Sequence, residues 1–379
     1  MTIYLIEIVF ILALWPLSRY RIRIGNDGKK ICGKEVYLFI VFLMLGIVMA
    51  LRSKNVGTDT TTYYIINQKI NNSASFVDAL SVSTLESAPL YVLYSYGLSK
   101  IFDSSQAILI FNSFIISVGF YRFIKKTSSN YMYSSLLFLL LTLYFESMNG
   151  MRQFVSIALA LNAFILLKED IKSIKGWLIY IGAILIHTTA IAFIIAIVGI
   201  IIVKTTKSID KIISTTIAIC IGVTLGMRFL VDVVVRFVPI LAQYIDGSNN
   251  AQLFNNSGSG RIVILYLILL LIMIVISIQI KGKVEFKKTV DYSYFPPLYF
   301  CAISGIVFSK NILFCRILWY FLSLYIPFIP NMYELLFRGK NKRLLYVGTS
   351  LVLLVYCIFH LLEDKSGIIP YSTFWSFNI

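Results

Sequence analysis

Apolar runs alternate with short polar clusters along the whole chain of 379 residues. An α-helix needs about 20 apolar residues to cross a bilayer, and runs that approach this length recur from one end of the chain to the other. The pattern predicts an all-α, polytopic integral membrane protein that forms a single transmembrane domain over residues 1–379. The runs lie near 3–18, 36–51, 106–124, 131–147, 151–167, 175–203, 210–230, 262–280, 294–309, 312–330 and 343–362.

Basic clusters between the runs predict which connections face the cytoplasm, because Lys and Arg are retained on that side. The run 175–203 starts and ends beside such clusters, so it must cross an even number of times. We expect it to form a pair of short helices that turns near His187. The resulting topology has about 12 spans and places both termini outside. The clusters are RYRIRIGNDGKK (19–30), RFIKK (122–126), KEDIKSIK (168–175), KTTKSIDK (204–211), KGKVEFKK (281–288) and RGKNKR (338–343).

Two long segments are predicted to be extracytoplasmic loops, 52–105 and 231–261. The first must stay outside until the run that begins at 106. Its apolar stretch 88–102 is therefore not expected to cross, and we predict that it is re-entrant or lies along the outer interface, where aromatic side chains are favoured. The second loop has the Gly, Ser and Asn content of a flexible lid.

Composition excludes a soluble domain and argues against nucleic acid as a partner. The chain is 58% hydrophobic and 14% charged, whereas soluble domains carry about 25% charged residues. Its net charge of +16 is divided among the clusters between apolar runs, which is how orientation is encoded in membrane proteins. The five cysteines are scattered without metal-ligand spacing, so neither a metal nor another cofactor is predicted.

Several charged residues fall at the predicted outer ends of the spans. A charged side chain in or beside an apolar segment costs free energy, so its presence there suggests a function. An arginine fork binds phosphate or pyrophosphate through two parallel hydrogen bonds. We expect these side chains to gather in one cavity, open to the outer leaflet, that holds a diphosphate. Nearby Tyr and Trp rings would offer flat surfaces to sugars. The candidates for pyrophosphate or substrate binding are Arg52, Arg152, Gln153, Arg261 and Arg316.

Each candidate also has a plain structural interpretation. Arg52 could extend to phospholipid headgroups, as long cationic side chains do at the ends of spans. His187 could be a buried histidine with its hydrogen bonds satisfied. Asp59 and Glu86 could cap the helices that follow them. Arg316 is harder to explain in this way, because an arginine within an apolar segment needs an anion or a water-filled cavity.

Four short motifs occur in a distinctive order: RSKNVGTDTTTY from Arg52, ESAPLYVL from Glu86, RQFVSIALA from Arg152 and HTTA from His187. Over roughly residues 50–330 this arrangement resembles the EpsG-type family of bacterial exopolysaccharide polymerases, which are Wzy-like. The YSTFWSF stretch near the C-terminus also resembles the tails of that family. The chain departs from the family pattern after Glu86, where Gly-Tyr is frequent and Ser-Ala stands here.

The resemblance implies a metal-independent glycosyltransferase in the bacterial cytoplasmic (inner) membrane. Such enzymes work on the outer side and extend a capsule, an exopolysaccharide or an O-antigen. Their substrates are oligosaccharide repeat units carried on undecaprenyl pyrophosphate, and no nucleotide sugar is needed. The implied partners are this lipid-linked substrate, membrane lipid, a regulator of chain length and a flippase.

A mechanism follows from the chemistry of the implied substrate. Pyrophosphate is a competent leaving group, so the enzyme needs cations that stabilise its developing charge, with Arg152 and Arg316 the strongest candidates. The acceptor hydroxyl needs a general base. His187 is one candidate because imidazole titrates near neutrality. Asp59 and Glu86 are the alternatives, and the sequence leaves the choice open.

Two other functions compete with polymerisation. A flippase or other transporter predicts charges through the central depth of many helices and, often, inverted repeats, whereas the charges here cluster outward and no repeat is evident. A ligase or acyltransferase of the O-antigen-ligase type also uses outward Arg and His residues. The residue chemistry does not separate that class from a polymerase, and the order of the motifs favours the polymerase.

Overall fold

The computed structural model of the chain describes residues 1–19, 21–24, 29–82, 88–206, 208, 210–222, 260–281, 289–309 and 312–375. The chain divides into two compact units. The first comprises Met1–Ile191, Ile329–Asn331 and Tyr346–Ile379, and the second comprises Ala192–Phe328 and Met332–Leu345.

Helices make up most of both units. In chain order they are α1 (Thr2–Ala13), α2 (Gly33–Leu51), α3 (Thr60–Asn71), α4 (Phe76–Leu80), α5 (Pro89–Ser99), α6 (Gln106–Thr127), α7 (Tyr131–Leu140), α8 (Leu143–Asn149), α9 (Met151–Glu169), α10 (Ile174–Ile186), α11 (Ile194–Thr205), α12 (Gly260–Lys281), α13 (Phe295–Val307), α14 (Ile312–Leu322), α15 (Tyr325–Leu336) and α16 (Gly339–Glu363). Short 3₁₀ turns lie at Trp15–Arg19, Thr188–Phe193 and Tyr292–Tyr294. Residues 210–222 are also helical.

The lengths and composition of these helices confirm a multi-pass membrane protein. Within the described ranges, six helical stretches are long and apolar enough to cross a bilayer: α2, α6, α9, Thr188–Thr205, Ile262–Lys281 and α16. The bent pair formed by α7 and α8 would make a seventh span. The stretch Thr2–Ser18 and α10 are apolar but shorter. Twelve spans therefore remain a prediction, of which six or seven are supported.

The expectation of an all-α chain needs one correction. Arg21–Ile24 and Lys29–Cys32 form an antiparallel pair of strands, β1 and β2, with Arg21 opposite Cys32 and Ile24 opposite Lys29. The sequence does contain the signal for it. Charged and apolar residues alternate in RIRI, and the turn-forming residues GNDG follow at 25–28, a pattern typical of hairpins. We interpreted this stretch only as a basic cluster.

The core of the first unit is built around α9, which packs against α6 and α10. It is apolar all round and largely buried, as expected for a helix with neighbours on several sides. Small residues permit the close approach to α6, since a Cβ added at Gly119 would lie 2.6 Å from the Ala158 Cβ. Across the same contact, Asn162 Nδ2 donates to the Gly119 carbonyl at 3.0 Å. Small residues and side-chain amides are typical of helix contacts in membranes.

A break within the span formed by α7 and α8 determines where α9 begins. Thr142 adopts φ 62° between the two helices, and their axes differ by 54°. A threonine in the left-handed region is strained, so the surrounding packing must hold the bend. The short α8 ends at Asn149, and α9 starts after Gly150. The carbonyl end of one helix thus lies beside the amino end of the next.

The predicted first outer loop, 52–105, folds into the short helices α3, α4 and α5. The 11 residues of α5 span about 16 Å, roughly half the thickness of a bilayer core. This length agrees with a segment that does not cross, and α5 packs against α3, α4, α6 and α10. Whether it is re-entrant or interfacial stays a prediction. The predicted second loop, 231–261, lies outside the described residues except for its last two positions.

The second unit has its own packing around α13. This helix lies against α11, α12 and α14. A Cβ at Gly305 would meet the Tyr266 ring at 2.3 Å, so only glycine allows this approach. The hydroxyls of Ser277 and Tyr299 are hydrogen-bonded at 2.7 Å. This unit carries Arg261 and Arg316.

Candidate functional site

Arg152 is the second residue of α9 and is half-buried. Its guanidinium carbon lies 5.6 Å from the centre of the Tyr91 ring. Its Nε atom, like that of Arg52, is buried without a hydrogen-bond partner among the described residues. Among the described residues no carboxylate forms an ion pair with Arg152. A partly buried cation without a counter-charge is costly, so Arg152 is a candidate for binding an anion.

Aromatic residues from α3 and α5 support this arginine. Tyr91 is 1% exposed, and its ring centre lies 6.5 Å from that of Tyr63 and 5.2 Å from that of Tyr94. Tyr94 donates to Asn112 Oδ1 at 2.8 Å, which anchors the group to α6. Burial raises the pKa of the Tyr91 phenol, so the ring beneath Arg152 is neutral at physiological pH.

Gln153 connects the start of α9 to His187. Its side chain is buried at 3% exposure, and Nε2 donates to Thr189 Oγ1 at 3.4 Å. The same hydroxyl oxygen lies 2.6 Å from His187 Nδ1. If His187 carries its proton on Nδ1, it donates to Thr189, and Nε2 is the basic nitrogen. This linkage brings Arg152, Gln153 and His187 to one region of the first unit.

His187 owes its position to the end of α10. The helix stops at Ile186, and His187 has an extended backbone with φ −151° and ψ 114°. Its carbonyl accepts from the Ala190 amide at 3.0 Å, which begins the 3₁₀ turn. The helix break predicted near His187 is present. The side chain is half-buried, as a residue must be if it is to meet a substrate from a packed position.

Arg52 is placed differently from the expectation of a substrate ligand. It is 1% exposed and donates to the carbonyls of Met49 and, at 3.0 Å, Met148. Further contacts reach Ser113 Oγ at 3.4 Å and Met151 Sδ at 3.4 Å. Burial lowers the pKa of Arg52 to about 10, so it stays charged at neutral pH. These contacts favour a structural role over both phosphate binding and extension to headgroups.

The Gly-Thr-Asp motif that follows Arg52 docks on the end of α8. Thr58 Oγ1 and the Asp59 amide both donate to Asn149 Oδ1, at 3.0 and 2.7 Å. Gly57 adopts φ +98°, and a Cβ there would lie 2.6 Å from Thr60 Oγ1. Asp59 is the N-cap residue of α3, but its half-buried side chain makes no capping hydrogen bond.

The C-terminal tail completes this region. The Ser53 amide donates to the Ser372 carbonyl at 2.8 Å, and the Thr58 amide donates to the Ser366 carbonyl at 2.9 Å. We call residues 52–60 and 366–374 the clasp. Sequence reasoning did not predict this pairing, although the tail had been noted as a family-like stretch. Nothing in the local pattern of either segment indicates the other.

The remaining candidates lie in the second unit or outside the described residues. Arg316 is half-buried in α14 of the second unit, with its guanidinium carbon 5.7 Å from the centre of the Trp319 ring. Arg261 is the second residue of α12, and its side chain lies outside the described part of the chain, as does all of Glu86. Searched over the described residues, the chain has no group of three or more His, Cys, Asp or Glu side chains that could hold a metal ion.

The fold and this region define a multi-pass helical membrane protein with a basic, aromatic-lined site at a helix start. The chain belongs to the EpsG family, whose profile matches residues 35–373. The match confirms the resemblance and extends it to residue 373, which takes in residues 366–373 of the clasp. Comparison with curated proteins and with solved structures gave no match.

Proposed function

We propose that the protein is an exopolysaccharide polymerase. In this proposal it is a glycosyltransferase that joins oligosaccharide repeat units carried on undecaprenyl pyrophosphate, on the outer side of the bacterial cytoplasmic membrane. Membership of the EpsG family supports a glycan polymerase. The observation that carries the proposal further is Arg152, a half-buried guanidinium with no carboxylate partner among the described residues.

The setting of Arg152 suits a diphosphate. The first backbone amides of a helix lack acceptors within the helix, and the helix dipole adds positive potential at the same end. Helix starts are therefore recurrent phosphate sites. At the start of α9 an arginine adds a fork that matches phosphate oxygens. Both features disfavour an empty site and favour an anion.

The proposed reaction transfers the growing glycan from its carrier to a fresh repeat unit. The acceptor hydroxyl oxygen forms a bond to the anomeric carbon of the growing chain, and the bond from that carbon to the pyrophosphate oxygen breaks. The bonding electrons leave with the lipid diphosphate, whose charge Arg152 stabilises. The hydroxyl proton passes to His187 Nε2 as general base. Gln153 and Thr189 hold the imidazole in place.

The other predicted roles remain part of the proposal. Asp59 and Glu86 are the alternative bases, and Arg316 and Arg261 are further candidates for the diphosphate. Twelve spans, outward orientation, metal independence, a chain-length regulator and a flippase are expected on the same grounds. Arg52 is reassigned here from the substrate to the clasp, because its hydrogen bonds are made to protein carbonyls.

Deletion and complementation would test the proposal. The gene is deleted and the surface glycan is sized after complementation with the wild type, with Arg152→Ala or with Arg122→Ala. Arg122 is an exposed arginine of α6 and serves as the matched control. We expect single repeats without a ladder for the deletion and for Arg152→Ala, and a full ladder for the control. Loss of all external glycan in the deletion would instead indicate export.

A further inference from the structure

A polar cavity of about 350 Å³ opens beside α3 in the first unit. One wall consists of Tyr64, Gln68, Asn71 and Asn72, and the other consists of Asp103 and Ser105. The first four positions are spaced by four, three and one residues, which places them along one face of the helix. The volume lies within the range of cavities that bind small ligands.

The lining favours a polyhydroxylated, uncharged ligand. Side-chain amides supply two donors and an acceptor each, and a carboxylate supplies acceptors. Sugar hydroxyls need both. Among the described residues no Lys or Arg lines the cavity, so none of them compensates the charge of a phosphate or an acidic sugar. One carboxylate among amides is also too little charge for a structural Ca²⁺ site.

The polar groups of this cavity are available to a ligand. Within the described residues, Gln68, Asn71, Asn72 and Asp103 make no side-chain hydrogen bond, whereas Tyr64 donates to Gln106 Oε1 at 2.9 Å. Gln106 in turn donates to the carbonyls of Ala50 and Arg52, at 2.7 and 3.1 Å. The competing interpretation is a solvated helix face. Such a face is convex, whereas here a second wall opposes it and an anchored tyrosine forms part of the surface.

A series of contacts joins the cavity to Arg152. Tyr64 lines the cavity, and its neighbour Tyr63 contacts the Tyr91 ring, over which Arg152 lies. A molecule with a diphosphate at one end and several sugars at the other would place its negative charge at the cation and its uncharged part at the cavity. The anionic end suits Arg152, and the neutral end suits the amides.

We infer that this cavity is a subsite for uncharged sugars of the growing glycan, connected through Tyr63 and Tyr91 to the diphosphate held at Arg152. The inference rests on the proposed function. A subsite of this kind retains the growing chain between additions and so lengthens the product. The double variant Gln68→Ala, Asn71→Ala removes two side-chain amides from the wall of the cavity. Alanine is compatible with the helix at both positions.

In cells that carry the variants, the measured quantity is the length distribution of the surface glycan. We expect the double variant to make chains longer than one repeat but with a modal length at least about twofold lower. Thr62→Ala, on the opposite face of α3 and exposed like Gln68, should give the wild-type distribution. A wild-type distribution in the double variant, with Arg152→Ala making none, overturns the subsite and leaves the proposed function intact. A wild-type ladder from Arg152→Ala overturns the proposed function of Arg152 itself.

A binding measurement covers the case in which the double variant makes no polymer. Surface glycan from the wild-type strain is partly hydrolysed to lipid-free oligosaccharides and titrated into purified protein in detergent. Loss of two amides should weaken binding about tenfold, and inorganic pyrophosphate should not displace the oligosaccharide. Equal affinity of the wild type and the double variant, or displacement by pyrophosphate, overturns the inference.

Discussion

The first unit contains two arginines whose surroundings are opposite in kind. Arg52 lies where α2 and α8 end, and it donates to carbonyls at both ends, those of Met49 and Met148. Arg152 lies where α9 begins, three residues after the end of α8, and its guanidinium contacts the face of the Tyr91 ring. Carbonyl ends of helices are partly negative and amino ends are partly positive. Backbone carbonyls therefore solvate the Arg52 charge, whereas Arg152 adds its charge to an end that is already positive.

The difference teaches how a structural cation is told from a binding cation. Position along a span does not distinguish them, since both residues lie at predicted outer ends. Partners do. The two terminal nitrogens of Arg52 donate to backbone carbonyls, which favours a role in the fold, although its Nε has no partner among the described residues. Arg152 contacts the Tyr91 ring and pairs with no carboxylate among the described residues, so a bound anion can lower the cost of its burial. The clasp and the α9 start should therefore respond differently to mutation.

Removal of the Arg152 charge should produce the largest effect on activity. In proteoliposomes supplied with lipid-linked repeat units, Arg152→Ala should lower the rate of polymerisation by about 100- to 1,000-fold, as for the loss of one charge-stabilising group. Arg152→Lys should recover part of this, since it keeps the charge and loses the fork. The melting temperature should not fall, because no carboxylate among the described residues compensates the Arg152 charge. A stable, fully active Arg152→Ala protein would show that Arg152 does not bind the substrate and that the proposed contrast with Arg52 is wrong.

His187 tests whether the base belongs to the same region as Arg152. His187→Gln should lower the rate by about 100-fold, at the low end of what a general base contributes, with substrate affinity little changed. The assay is the same, with initial rates measured over a range of substrate concentrations. Should His187→Gln retain wild-type rates while Asp59→Asn loses them, the base lies in the clasp, and the division between a structural and a catalytic region breaks down.

Arg52 should give the reverse pattern. Arg52→Ala leaves buried carbonyls without their charge-assisted donors, which should cost about 2–3 kcal/mol of stability. The readouts are thermal unfolding in detergent and the amount of protein in the membrane, with Arg122→Ala as control. Polymerisation per folded molecule should fall much less than in Arg152→Ala. Unchanged unfolding together with lost activity would return Arg52 to the substrate site.

Much of the framework could be predicted from the sequence. Apolar runs and basic clusters indicate a multi-pass helical protein, and the histidine in an otherwise apolar run indicates a break near His187. The gap between the apolar runs 131–147 and 151–167 indicates the turn between α8 and α9. These features depend on the local spacing of apolar residues and on the free-energy cost of burying charge in a membrane. One sequence is therefore enough to predict them.

The contacts that separate Arg52 from Arg152 could not be predicted in this way. Hydropathy reports depth in the membrane but not which neighbour a side chain meets. The pairing of Ser53 with Ser372 joins segments at opposite ends of the chain. Backbone hydrogen bonds of this kind leave almost no trace in side-chain type. The sequence likewise shows Thr189 only as part of the HTTA motif, because its hydrogen bond with Gln153 depends on how α9 packs.

The smallest effect should come from Thr189, which touches His187 and not the reacting atoms. Thr189→Val removes the hydroxyl between His187 Nδ1 and Gln153 Nε2 while keeping the shape of the side chain. The imidazole then loses its orientation, and we expect the maximal rate to fall about tenfold, the effect of one lost hydrogen bond, with the Michaelis constant unchanged. Thr189→Ser should restore the rate, because it restores the hydroxyl. A merely structural threonine would show the opposite pattern: both variants would lower the amount of folded protein, and the rate per folded molecule would stay constant. That result would leave Arg152 as the defining residue of the region and remove His187 from it.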